Sequence, residues 1–395
     1  METDRNTDSS HQSRKEDVTG RDRLGINLAS RYIGQIVVIV SGFIIPRLID
    51  DGLGPVALGI WDFGWSTVSY FRYIGFGFAA GLNRFVALYN ARENYDKLQK
   101  AVSSTAYLQI LLAALTVLAA LGVSTLMPRI FDDIAPDQLE QSKMVVFLLG
   151  STLAVKMLFW PSRGILTGYH RVTVTAGVTA VGDIVILVGM FIVLTTGGNL
   201  IGLGTVVLFS MIATEMTRMF MAKRIYPYRV YNWSVVSTRM LRKMVVFGVK
   251  NSVAGMPGLI VVQTIALCLA ASAGPAALAY YARPMALFSH VGTLIQHYAQ
   301  LLTPIAGSLQ GLRQDEELKK FLLDSLQASF LLTLPGVLLV AGYGDVIVRV
   351  WMGDDYVIPM LAPLLGAAVL LPFGHSVAMR ILIGVDSHGK VAVRA

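Results

Sequence analysis

The chain is 395 residues long, 54% hydrophobic and 15% charged, with a mean hydropathy of +0.59. Soluble domains carry about 25% charged residues, so this composition points away from a soluble fold and toward a membrane. The net charge of +8 would suit a nucleic-acid partner, but its placement along the chain excludes that reading.

Residues 1–24 are polar and charged, with no apolar core, and read as a disordered cytoplasmic tail in place of a cleavable signal peptide. Apolar runs follow at 27–49, 57–83, 102–125, 143–165, 172–196, 199–221, 244–270, 275–307, 321–343 and 358–384. Each supplies the roughly 20 residues a helix needs to cross the hydrocarbon core. The longest outside connection, 126–142, is acidic and is expected to form a small surface helix. No soluble domain interrupts the spans, which disfavours a membrane glycosyltransferase or polymerase; that class would need paired acids or a large external loop. Segment 222–243 mixes Arg and Lys with Tyr and Trp, a composition suited to lipid headgroups. It separates six spans from four, so the expected units are 1–24 (tail), 25–221 (six-helix lobe), 222–243 (cytoplasmic linker) and 244–395 (an incomplete second lobe).

With the N-terminus inside, four of the 33 Lys and Arg (Arg47, Arg129, Lys143, Arg349) fall in outside loops and six within spans. The other 23 are read as cytoplasmic. This is the positive-inside bias, so the excess charge reports topology, and nucleic acid is not an expected partner. The single cysteine, Cys268, excludes an intrachain disulfide and a cysteine metal cluster. His290 and His297 share a helix face at seven-residue spacing, which suits polar packing better than chelation. No metal or cofactor is expected.

The two halves resemble one another. Gly54-Pro55-Val56-Ala57-Leu58 opens the second span and Gly274-Pro275-Ala276-Ala277-Leu278 the eighth, both from the same side of the membrane. Arg31 and Lys250 precede these motifs by 23 and 24 residues. A parallel repeat about the membrane normal is the expected symmetry.

Arg31, Arg72, Lys156, Lys250, Arg283 and Arg380 lie within spans, against Asp183 and Glu215 as the clearest acids. A mid-bilayer cation costs about 2.5–3.5 kcal/mol on insertion scales and therefore faces protein or a wet cavity. Lys156 and Asp183 sit at matching depths on consecutive spans and are read as a neutralising pair. Lys250 either pairs with Glu215 or contacts substrate. Arg31 lies shallow enough to snorkel to the headgroups, and Arg380 reads as a topology anchor. Arg72 lies some 15 residues, roughly 22 Å of helix, from the outer start of its span and is the firmest cavity residue. Subtracting the pairs leaves Arg31, Arg72 and Arg283, so the cavity is expected to favour anions. Guanidinium keeps its charge there and binds phosphate oxygens two at a time.

Four stretches resemble the multidrug/oligosaccharidyl-lipid/polysaccharide exporter superfamily on its polysaccharide-flippase side. They are Leu53–Trp61, Gly75–Ala87, Gly164–Arg171, and Tyr280-Tyr281-Ala282-Arg283 through Leu302–Ala306. Ser30-Arg31-Tyr32-Ile33-Gly34 is similar to the first-helix pattern of lipid II flippases, and Arg72 stands five residues before Gly77 as their second-helix arginine does. Arg283 occupies the acidic position of their Tyr-Tyr-Ala-Asp-Arg pattern, a departure. The resemblance implies an all-α membrane protein of about ten helices in two pseudo-symmetric lobes around a central cavity, where the family usually has twelve or more. It also implies a bacterial inner-membrane flippase for an undecaprenyl-diphosphate-linked oligosaccharide, with Arg31, Arg72, Arg283 and Lys250 on the diphosphate. Membrane lipids are expected neighbours, and a glycan polymerase or chain-length protein is an allowed partner. The competing readings are a cation-coupled multidrug exporter of the same superfamily, which needs an unpaired cavity carboxylate (Asp183 or Asp62), and a non-transporting scaffold of glycan synthesis.

Overall fold

The computed structural model describes residues 24–131, 134–169, 171–311 and 314–384. The elements among them are α1 (Leu24–Ala91), α2 (Tyr95–Ile130), α3 (Pro136–Leu158), α4 (Trp160–Gly168), α5 (Val172–Thr195), α6 (Leu200–Ile225), α7 (Thr238–Ala273), α8 (Pro275–Gly311), α9 (Asp315–Met352) and α10 (Leu361–Gly384). Short 3-10 turns occupy Trp233–Val235 and Asp354–Tyr356. This is the expected all-helical, two-lobe membrane fold, and each apolar run lies mainly in helix.

Gly54 divides α1 into two arms, 24–53 and 55–91, with φ 81° and ψ 174°. An L side chain is strained there, and Pro55 starts the second arm with φ already set for a helix. Gly274 repeats the device between α7 and α8, with φ 84° and ψ 168°. The duplicated Gly-Pro motif is thus the same backbone break in each half.

Three boundaries differ from the sequence reading. The expected surface helix near 126–142 is absent, because α2 runs on to Ile130 and α3 starts at Pro136. The linker is shorter, since α6 continues to Ile225 and α7 begins at Thr238. The fourth span breaks at Phe159, where Pro161 lacks the N–H that would continue the helix. Ser162 N–H turns back to the Phe159 carbonyl at 3.1 Å. The Leu158 carbonyl accepts the Tyr231 hydroxyl at 2.7 Å, so the linker staples the break. Burial, together with neighbouring Glu215, raises the Tyr231 hydroxyl to about 12, and it remains a donor.

Helices α2, α3, α5, α6 and most of α9 are long and apolar enough to cross a membrane by length and composition. Their apolar surface points outward: the most apolar window of α5 has a mean hydropathy of 2.4 and is only 6% buried. Water would penalise that face heavily, whereas acyl chains match it and the helices satisfy their own backbone. The chain is an integral multi-pass membrane protein.

The cores reveal how the lobes meet. At the end carrying Gly54 and Gly274 they share one: Leu58, Ile60, Leu149 and Leu203 pack in a cluster with Ala279, Phe288, Val340 and Met352. Phe63, Met127 and Phe131 likewise pack with Ala266, Ala270 and Leu278. At the linker end, among the described residues, Leu82, Val86, Leu98 and Ile165 form one core with the start of α7. Ile295, Ala299, Val377 and Ile381 form another within α8 and α10. Among the described residues, the core shared broadly between the lobes therefore lies at the end carrying Gly54 and Gly274, which is sealed.

Candidate functional site

The seal is built from specific contacts between lobes. A Cβ on Gly59 would stand 1.8 Å from the Pro275 carbonyl oxygen, so only glycine lets the second arm of α1 approach α8 this closely. Trp351 Nε1–H donates to the Phe43 carbonyl at 2.7 Å, and the two rings lie 4.7 Å apart. Tyr356 donates its hydroxyl to Asp50 and meets Tyr280 edge-on at 4.9 Å. Burial, and next the hydrogen bond that the Asp50 carboxylate accepts from it, hold the Tyr356 hydroxyl above the ordinary tyrosine range. His290 stacks on Phe43 at 5.5 Å, a packing role. No metal-holding group of His, Cys, Asp and Glu occurs among the described residues.

Just inside the seal lies a cavity of about 320 Å³ between both arms of α1 and helices α7 and α8. Trp61, Asp62, Trp65, Ser66 and Ser69 line it from one lobe, and Gln263, Tyr281, Arg283 and Ser289 from the other. Arg283 departs from the sequence reading. It is not an unpaired cation: it donates to Asp62 across the lobe boundary, is 3% exposed, and lies 5.9 Å from the Trp351 ring. Its Nε–H has no protein partner. Asp62, on the same evidence, is not an unpaired carboxylate for a cation.

Positions 61, 65, 69 and 72 recur at helical spacing, which places Arg72 on the cavity-facing stripe of α1 below Ser69. Arg72 is exposed and belongs to a second group of charges inside the first lobe. Lys156 on α3 shares its electrostatic surroundings with Arg163 on α4 and with Glu215, Arg72 and Arg218. Asp183 on α5 interacts first with Lys156 and then with Arg218. Four cations thus meet two carboxylates.

Pairing with Glu215 was one of two expected roles for Lys250, the other being substrate contact; the ion-pair partner of Glu215 among the described residues is Arg218, one turn along α6, and the two are 1% and 2% exposed. Arg218 also donates to Thr179 Oγ1 at 2.6 Å, while Glu215 Oε2 and Arg218 Nε are buried without a protein partner. Arg163 and Arg218 had been assigned to cytoplasmic flanks because they lie near span ends. The signal that could have found Arg218 is its i,i+3 spacing from Glu215. The side chains of Arg31, Lys250 and His297 lie outside the described residues.

Residues 32–194 match the MatE family model. The chain superposes on a multidrug resistance MATE family transporter of the MOP superfamily in its inward-facing conformation, with a TM-score of 0.74. Identity is 15%, over 89% of this chain and 82% of that one. The chain has the MATE transporter fold. An outward-facing structure of a multidrug resistance MATE family transporter gives a TM-score of 0.68 at 15% identity, over 95% of this chain and 84% of that one. A MOP superfamily transporter from Pyrococcus furiosus, described as having a binding pocket of reverse polarity that suggests a different function, gives 0.71 at 15% identity over 95% and 84%. No curated protein matches the chain.

Proposed function

We propose that this chain is an alternating-access transporter of the MOP superfamily whose substrate is an anionic amphiphile, an undecaprenyl-diphosphate-linked oligosaccharide flipped across a bacterial inner membrane. The observation that carries the reading is the excess of cations over carboxylates in the first-lobe group. Arg72 and Arg163 both lie in the electrostatic surroundings of Lys156, while the carboxylate that lines the cavity, Asp62, is held by Arg283. A low-dielectric site with surplus cations attracts phosphate and repels cationic drugs. Arg72 is the principal diphosphate ligand, Lys156 and Arg163 add field, and Arg31 and Lys250 remain members of the set on sequence grounds. Arg283 acts by hydrogen bonding, since its charge is answered. The Pyrococcus furiosus transporter described with reverse pocket polarity is a neighbour of the same fold.

A cation-coupled multidrug exporter is the second reading, and the neighbours described as multidrug resistance transporters favour it. Asp183, half-buried in the first lobe, would then be the coupling carboxylate. Proteoliposomes separate the two. Flipping of a fluorescent undecaprenyl-diphosphate oligosaccharide that falls at least about tenfold in Arg72→Gln, the loss of a charged hydrogen bond, supports the first. Uptake of tetraphenylphosphonium that depends on Asp183, with no lipid flipping, replaces it with the second. A folded protein doing neither is a scaffold.

A further inference from the structure

We infer that the cavity beneath the sealed end is a subsite for an uncharged sugar ring, with Trp65 as its stacking face and the Asp62–Arg283 pair as its hydroxyl reader. The inference rests on the flippase reading and names which part of the substrate sits where.

Charge is the first argument. The cavity wall presents Asp62 and Arg283, and these answer each other. A phosphate or a cationic drug would each need an unpaired counter-ion, so neither suits this pocket. What remains after pairing is hydrogen-bonding capacity: a buried, unpartnered Nε–H on Arg283, with Ser66 and Gln263 also facing the space. Carboxylate and guanidinium planes offer adjacent acceptors and donors, which is what neighbouring hydroxyls on a ring require.

Shape is the second. Trp65 is 37% exposed although it lines a space between lobes. Trp61, 5% exposed, braces it edge-on at 6.2 Å. A rigid aromatic face held open beside polar groups matches a sugar, whose C–H bonds point at the ring while its hydroxyls point sideways. A volume of about 320 Å³ is at the small end of ligand pockets and suits a short piece of glycan better than a whole lipid-linked molecule.

Placement is the third. Trp65 and Arg72 are seven residues apart, two turns on the same helix face and about 10 Å along it. A diphosphate at Arg72 puts the first sugars level with Trp65, toward the sealed end. The charged group then stays farther from the sealed end and the glycan leads toward it.

The test is equilibrium binding in nanodiscs, using undecaprenyl diphosphate with no sugar and the same lipid bearing an uncharged oligosaccharide. Wild type should hold the sugar-bearing lipid about tenfold tighter, the scale of a good aromatic contact with its hydrogen bonds. Trp65→Ala should erase that margin and leave the sugar-free lipid within about twofold, and Trp65→Phe should restore much of it. Gln263→Leu, on the other lobe, should cut the margin without disturbing the tryptophans, and serves if Trp65→Ala fails to fold. Arg72→Gln should weaken both lipids alike. Equal binding of the two lipids by wild type, or a margin that survives Trp65→Ala and Gln263→Leu, overturns the subsite while the anion reading stands. Binding of neither lipid by wild type removes the flippase reading and the subsite with it.

Discussion

Glu215 and Arg218 show why a buried ion pair must be judged as a unit. Each sits out of contact with solvent, and removing one partner leaves the other as an uncompensated buried charge, at a cost of about 3–5 kcal/mol. Glu215→Leu should therefore lower the thermal midpoint sharply, while Glu215→Leu with Arg218→Met should recover most of the loss; equal damage in both would show that packing matters more than charge. The Asp62–Arg283 pair makes a different prediction because it borders a cavity. Asp62→Asn should release a cation into the pocket and raise affinity for undecaprenyl diphosphate, read by the same titration in nanodiscs. Unchanged affinity would mean Arg283 is not reachable from the cavity.

The helices carry their function in their breaks. Gly54 and Gly274 turn the chain between paired helices with a positive φ, and Phe159 lets α3 and α4 part where Tyr231 can staple them. Gly59 has another duty, the close approach to Pro275. Gly59→Leu places a side chain against backbone and should wedge the sealed end apart. Spin labels at positions 51 and 355, both exposed, should report a longer distance distribution than in the parent protein. An unchanged distribution would mean that α1 and α8 accommodate the wedge by sliding.

Among the described residues the lobes share a core at the end carrying Gly54 and Gly274, and under the proposed alternating-access function the balance between states lies in that joint. Each hydrogen bond across it contributes about 0.5–1.5 kcal/mol. Trp351→Phe with Tyr356→Phe removes two and should shift the population toward the state open at that end by about tenfold. The labels at 51 and 355 would again register it. Tyr356 gains its raised pKa on folding, so its contribution is complete below the ordinary tyrosine value of about 10 and is lost only as pH climbs toward the raised one. Closure should thus be unaffected by pH between neutrality and about 9; a seal that loosens in that window would implicate another group.

Sequence alone determined the membrane environment, the helical spans and the duplicated Gly-Pro turn. Those follow from local rules: apolar run length, and the backbone conformation that glycine permits and proline presets. It also offered Arg72 as a cavity candidate from its depth, which the Arg72→Gln titration tests. Pairing was beyond it. Lys250 and Glu215 at equal depth looked as good a pair as any, while Arg218, three residues from Glu215, passed for a loop cation. Asp62 and Arg283 stand 221 positions apart, and nothing in either neighbourhood records the other. Depth in a bilayer is a one-dimensional coordinate that hydropathy encodes, but which charges touch depends on helix rotation and lobe closure. Those are set by packing between distant segments, and so the tertiary structure decided that Arg283 answers Asp62 and Arg218 answers Glu215.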